Sequence, residues 1–194
     1  MGSTLHKYRT GLSFIYDDID EKFGNLNLRR TEIIPGAFYE YAYDNTKNFA
    51  VVAGVRGDYN SEFGFVFTPR IHAKYNLTKS TVARVSAGSG FRTVNIFAEN
   101  AAFLASSRTF IINEKLNPER AWNGGLNLTQ TFHLGNREGT WGIDYYRTQF
   151  QNQVVADVYT NAQQIIFYNL RGESYANSFQ TDVNMEVVKN LNVR

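Results

Sequence analysis

Three histidines, two serines and an aspartate are the first residues to weigh for chemistry. His6, His72 and His133 lie far apart, with no metal-ligand spacing between them. Ser86, Ser89 and Asp58 do not isolate a nucleophile with its base. The chain has no cysteine, which removes thiolate metal sites and any disulfide framework. Gly88-Ser89-Gly90 is not a phosphate loop, because no lysine-bearing helix follows it. Asn76-Leu77-Thr78 and Asn127-Leu128-Thr129 match glycosylation acceptors, a match common by chance. The residues therefore argue against an enzyme, and they call for no cofactor and no metal. The most informative segment is 92–118. It sets Phe97, Phe103, Phe110, Ile111 and Ile112 beside Arg92, Asn95, Glu99, Arg108 and Glu114. One reading is that these apolar groups simply pack on neighbouring loops.

The elements that must position these residues are strands. The dominant hydrophobic period is two, as in strands whose side chains point alternately to opposite faces. Phe49, Val51, Ala53 and Val55 share one face, with Arg56 and Asp58 on the other. Phe65, Phe67, Pro69, Ile71, Ala73 and Tyr75 oppose Thr68, Arg70, His72 and Lys74. Tyr175, Phe179, Val183, Met185 and Val187 oppose Ser174, Ser178, Gln180, Asp182, Asn184 and Glu186. Similar alternation covers 7–16, 36–43, 81–91, 121–132 and 140–150. The count is about eight long strands, with a ninth beginning at Asn192. A short helix is expected around Ile96–Ala105.

Short polar connections at Asp44–Asn48, Asn76–Ser80, His133–Gly139 and Val188–Leu191 alternate with longer, less regular segments at 17–30, 92–118 and 152–163. Asn60–Gly64 is short where the pattern asks for a long loop. Strands running up and down between short turns and long loops describe an outer-membrane-type barrel.

A soluble β-sandwich binding module also alternates its faces. The 194 residues carry 20 basic and 18 acidic side chains, a net charge of +2, and show no basic patch for nucleic acid. No run approaches the about 18 apolar residues of a membrane-spanning helix. Three features favour lipid. The strands approach the about 9–11 residues a tilted spanning strand needs. Aromatic residues (Tyr41, Tyr43, Phe49, Tyr75, Phe132, Trp141) gather beside the short turns, as in the girdles of such barrels. The non-apolar face carries Glu40, Arg56, Asp58, Arg70, Lys74, Arg84, Asp182 and Glu186, too many ions for a dry core.

Several segments then carry a family resemblance. VAGVRGDYNSEFGFVFTPRIHAKYNLTKSTVARVSAGSGFR, from Val52 to Arg92, resembles the late barrel of TonB-dependent outer-membrane receptors. There a Gly-x-Arg-x-Asp strand leads to a Pro-Arg strand and then an Arg-x-Ser-x-Gly strand. GSGFRTVNIFAE at 88–99, LNPERAWNGGLNL at 116–128, DYYRTQFQNQVV at 144–155 and FYNLRGESYANSFQTDV at 167–183 resemble further segments, in the family's order. Val94 stands where the family often has proline, and Ser178-Phe179-Gln180 replaces a commoner Gly-x-Glu.

The resemblance implies an all-β, antiparallel up-and-down transmembrane barrel wall. Residues 1–194 would supply 8–9 strands of about 22, open at both edges. It implies a bacterial outer-membrane receptor that imports a scarce large nutrient of the siderophore, haem, cobalamin or glycan class. Expected partners are outer-membrane lipid, a plug domain and the TonB complex through regions not in this sequence, and a small-molecule or glycan ligand. The resemblance also implies that the 92–118 loop lines the external vestibule. Arg92 and Arg108 would then meet anionic ligand groups and Phe97 or Phe103 would give apolar contact, with Asn95 and Glu99 beside them. Met1-Gly2-Ser3 reads like a start or an expression scar, and both ends suggest a piece of something longer. The rival is a self-contained eight-stranded structural or adhesion barrel.

The face pattern predicts Val55, Phe67, Ile71, Leu126, Ile143 and Val183 toward lipid. Arg56, Arg70, Lys74, Arg84 and Asp182 are predicted toward the lumen or plug. One strand breaks the pattern. The face of Trp141, Ile143 and Tyr145 continues into Arg147 and Gln149, so the strand must rise above the bilayer there or contain a bulge.

Overall fold

A computed structural model describes residues 5–24, 26–135, 137–188 and 191–193. The strands are β1 (His6–Phe23), β2 (Leu26–Asp44), β3 (Phe49–Asn60), β4 (Gly64–Asn76) and β5 (Thr81–Arg92). After β5 come two single-turn helices, α1 (Ile96–Glu99) and α2 (Ala101–Leu104), then β6 (Thr109–Ile112), β7 (Glu119–Leu134) and β8 (Arg137–Asn152). The chain continues through β9 (Val154–Asp157), β10 (Gln164–Asn169), β11 (Ser174–Val188) and β12 (Leu191–Val193). Nine strands form one open antiparallel sheet in the order β1-β2-β3-β4-β5-β7-β8-β11-β12. A second, three-stranded sheet has the order β6-β10-β9, with β6 and β10 parallel.

The register confirms the two faces. Val55 lies opposite Pro69, Ile71 opposite Ala87, Val85 opposite Leu126, Leu128 opposite Ile143, and Trp141 opposite Val183. Across paired strands all of these point to one side. Val55, Phe67, Ile71, Leu126 and Val183 are each more than 40% exposed. A continuous face so apolar and so open is the outer face expected of a membrane barrel wall. On the opposite side, Arg56, Arg70, Lys74, Arg84 and Asp182 share the charged face. Glu40 there receives Arg70 at 2.7 Å and Arg9 at 3.5 Å, tying β1, β2 and β4 through one carboxylate.

Short turns are built by side chains that accept the backbone N–H groups the ladder leaves over. Asn45 Oδ1 accepts from Lys47, Asn48 and Phe49 at 2.9–3.0 Å. Thr78 Oγ1 accepts from Ser80 and Thr81. At this end the rings of Tyr43, Phe49 and Tyr75 follow one another at 6.3 and 6.5 Å, and His6 Nδ1 hydrogen-bonds the Tyr41 hydroxyl. The short Asn60–Gly64 connection closes when Asn60 Oδ1 accepts from Glu62 and Phe63, and Gly64 takes a φ of +76°.

Three expectations need correction. Residues 17–30 are not a long loop: β1 and β2 pair without a break from His6↔Tyr43 to Phe23↔Leu26, and Gly24 turns at a φ of +55°. The outer face of this hairpin turns from apolar to charged, with Asp18 paired to Arg29 and Asp20 to Lys22, so the hydrophobic alternation stops while the backbone ladder continues. The turn expected over His133–Gly139 is tighter, since Leu134 already pairs with Arg137 and Gly135 has a φ of +63°. The segments 92–118 and 152–163 hold strands of their own, β6 and β9, that form the second sheet with β10. Met1-Gly2-Ser3, and Lys189 and Asn190 of the connection expected at Val188–Leu191, lie outside the described residues.

Candidate functional site

The only apolar cluster of buried side chains among the described residues lies in the long connections, outside the nine-stranded sheet. Ile96, Phe97, Phe110, Ile165 and Phe167 are at most 5% exposed. They come from α1, β6 and β10, so two long connections meet here at the long-loop end. The tip of the β1–β2 hairpin joins them: Phe23 sits 5.8 Å from the Phe97 ring and 5.2 Å from that of Phe110. Phe110 also stacks on Phe167 at 5.6 Å. Each ring buries large apolar area, and the edge-to-face pairs add about 0.5–1.5 kcal/mol apiece. Three segments are thereby latched into one cap.

Below the cap, on the charged face, runs a polar network. The Arg30 guanidinium pairs with Glu32 and donates to Asn95 Oδ1 at 2.7 Å and to the Val94 carbonyl at 3.2 Å. Glu32, only 4% exposed, also accepts from Asn60 Nδ2 at 2.8 Å and from the Thr93 hydroxyl. Arg56 grips Asp58 through two contacts of 2.7 Å and reaches Ser13 at 2.8 Å. A buried carboxylate is tolerated only with such partners. The network fixes the start of the 92–118 segment to β2 and β3.

Each residue expected in the vestibule can now be placed. Arg92 is exposed and held between Glu119 at 2.7 Å and Glu99 at 2.9 Å. Asn95 accepts from Arg30, and its own N–H donates to Glu99 Oε1 at 2.9 Å. Phe97 is buried in the cap, and Phe103 packs half-buried against it. Arg108 donates to the Val158 carbonyl at 3.2 Å and so joins the two long connections. Arg92, Asn95 and Glu99 form one polar cluster, while Phe97, Phe103 and Arg108 belong to the cap behind it. Sequence reasoning missed Arg30, Glu32 and Thr93. Arg30 fell in a stretch read as loop, and only the uninterrupted pairing of β1 with β2 brings these groups together.

At the tip of the β9–β10 connection, Asp157 accepts from the Thr160 hydroxyl, and from the N–H groups of Thr160 at 3.0 Å and Tyr159 at 2.8 Å. These bonds, the Thr160 hydroxyl first, hold its carboxyl below the usual carboxylate range. Tyr159 itself is 94% exposed.

Ser86 and Asp58 are not brought together. Ser86 pairs with His72, which pairs with Val52. Asp58 lies six residues farther along β3, on the order of 20 Å away, and is engaged by Arg56. Among the described residues, no three His, Asp or Glu side chains cluster as a metal site.

An open antiparallel sheet, apolar outside and charged inside, with short turns at one end and a built cap at the other, defines a wall of an outer-membrane-type β-barrel. The chain belongs to the TonB dependent receptor-like β-barrel family, whose model matches residues 2–186. Its family is one of bacterial outer-membrane receptors and transporters. Solved structures agree on the fold. The siderophore receptor PirA from Pseudomonas aeruginosa superposes with a TM-score of 0.69 at 16% identity, over 96% of this chain and 37% of that one. The ferric enterobactin receptor PfeA in complex with BCV-L6 gives 0.72 at 12% identity, over 96% and 32%. The Serratia marcescens hemophore receptor HasR, in a double mutant bound to HasA and heme, gives 0.67 at 11%, over 95% and 37%. The chain thus spans about a third of the length of these structures. Comparison with curated protein sequences finds no match.

Proposed function

We propose that this chain forms part of the barrel wall and external vestibule of a receptor that imports an iron chelate or haem, energised through TonB and a plug domain. The observation that carries this reading is the pairing of an open nine-stranded wall with a built cap at its long-loop end. The similar structures include a siderophore receptor and a hemophore receptor bound to its hemophore and heme. In this reading Arg92, Asn95 and Glu99 present the polar surface to the ligand. Phe97 and Phe103 hold that surface from behind, and Arg108 ties it to the β9–β10 connection. Binding groups on loops fixed to a rigid scaffold are a common arrangement.

The test is growth of a strain deleted for the parent gene on defined iron sources, with cobalamin and glycan sources as comparison arms. Loss confined to one siderophore or to haem supports the proposal. Loss confined to cobalamin or a glycan would replace the substrate class and keep the transport reading. Replacing Arg92 and Arg108 by alanine should lower uptake several-fold at unchanged receptor abundance. Unchanged uptake would return the 92–118 segment to a packing role.

A further inference from the structure

Arg147 is the residue that the barrel pattern leaves unexplained. It points to the lipid side, in line with Trp141, Ile143 and Tyr145. No bulge intervenes, because Arg147 pairs regularly with Gly124 on β7 and with Asn177 on β11. The irregularity in this strand lies farther on, beside Arg120 and Ala121. A cation on a lipid-facing wall is costly unless it reaches the interface.

The geometry shows where it reaches. From Gly139, which lies under the Phe132 ring, to Arg147 is eight residues. At 3.4 Å per residue and a tilt of about 35–45°, that is a rise of about 19–22 Å. The apolar band of such barrels is about 25 Å tall, so Arg147 sits just below its external edge. Its guanidinium lies 4.4 Å from the Tyr175 ring centre and donates to Gln149 Oε1 at 3.1 Å. Gln149 and Tyr175 are cross-strand partners one row nearer the cap. The side chain therefore leans outward along the barrel, as a snorkelling arginine does.

No carboxylate pairs with Arg147 among the described residues. Beside it Gly124 leaves open floor, since a Cβ built there would meet only the Ser86 carbonyl at 3.9 Å. Trp122, opposite Gln149, walls the row above and is 44% exposed. We propose that Arg147, braced on Tyr175, binds the phosphate of an outer-leaflet lipid headgroup on the external rim of the wall. The inference rests on the barrel-wall reading given above.

The test reconstitutes the receptor polypeptide carrying this chain into nanodiscs of phosphatidylcholine alone or doped with lipid A. It reads the lipid A retained per protein and the melting temperature. Wild type should retain lipid A and melt higher in doped discs. Arg147→Gln should retain about five-fold less, the equivalent of about 1 kcal/mol for one basic side chain near an anionic surface. Arg147→Lys, which keeps the charge and loses the planar stack, should fall between, as should Tyr175→Leu. Inorganic phosphate added to undoped discs should not reproduce the shift; if it does, the lipid assignment is wrong. Arg147→Gln retaining as much lipid A as wild type would overturn the proposal. So would a wild type that inserts into both discs without preferring lipid A, and that result leaves the wall reading standing. Failure to insert into either disc would overturn both.

Discussion

Val55 and Ile71 test the face assignment one side chain at a time. Each points away from the charged wall and is over 40% exposed, so an arginine there would sit in hydrocarbon. At the bilayer midplane that costs about 2–4 kcal/mol. Val55→Arg and Ile71→Arg should therefore lower the amount of folded receptor in the outer membrane, read as the heat-modifiable band on a gel. Normal assembly of both would mean that the faces are reversed. Asp157 gives a pH prediction outside the lipid. Its folded carboxyl is held low by the Thr160 hydroxyl and two backbone N–H groups. A depressed folded pKa means that the ordering it provides is present above the unfolded value, near 4. It is lost as the pH falls through the lower folded value. Amide exchange at Tyr159 and Thr160 should thus stay slow at neutral pH and accelerate, beyond the intrinsic trend, only below the ordinary aspartate range. Asp157→Ala should show the fast exchange already at neutral pH.

At the scale of elements, the cap makes a prediction that the sheet does not. Phe110 touches Phe23, Phe97 and Phe167, one ring from each of the other two segments that the cap joins and one from its own. Phe110→Ala would remove a buried ring worth about 3–5 kcal/mol. Hydrogen exchange should quicken at the β1–β2 tip and in β10 while β7 and β8 keep their protection. Uniform quickening would mean that the cap and the wall unfold together. The same elements show what could be read from sequence. Val55, Ile71 and Val183 declared their face because one side of each strand meets lipid and the other meets charge. Asp18 and Asp20 carry no such contrast, since they pair with Arg29 and Lys22 on the open face of the projecting hairpin, and Glu21 on its other face accepts from the Ala98 N–H; charge on both faces makes the ladder there invisible to periodicity. β6 and β9 are four residues each, too short for a period to register. Phe97 and Arg108 were found as chemistry-bearing types. Their placement behind the polar cluster depends on Phe167 and Val158, more than 45 residues away in the chain.

At the scale of the whole molecule, the sheet is open. β1 at one edge and β12 at the other each have one neighbour, so about half of the backbone N–H and C=O groups on each edge face away from any partner. In hydrocarbon each unpaired group costs several kcal/mol, which excludes an open edge from lipid. In water the same edge is a template for another strand. The outer face compounds the problem, with Leu12 88% exposed and Phe14 and Phe179 each 69%. Apolar patches beyond a few hundred Å² drive association. The cap cannot compensate, because its buried cluster of five side chains lies at one end and covers neither edge. Residues 1–194 expressed alone should therefore associate in buffer and resist reconstitution as a monomer in detergent. Size-exclusion chromatography with circular dichroism reads both, and the expected result is β-rich material in the void volume without a cooperative melt. A sharp monomer peak in plain buffer with a cooperative melt would mean that the two edges close on each other. Because edge closure alone would leave the apolar outer face exposed, that result would overturn the membrane-wall reading and favour a soluble β-sandwich module.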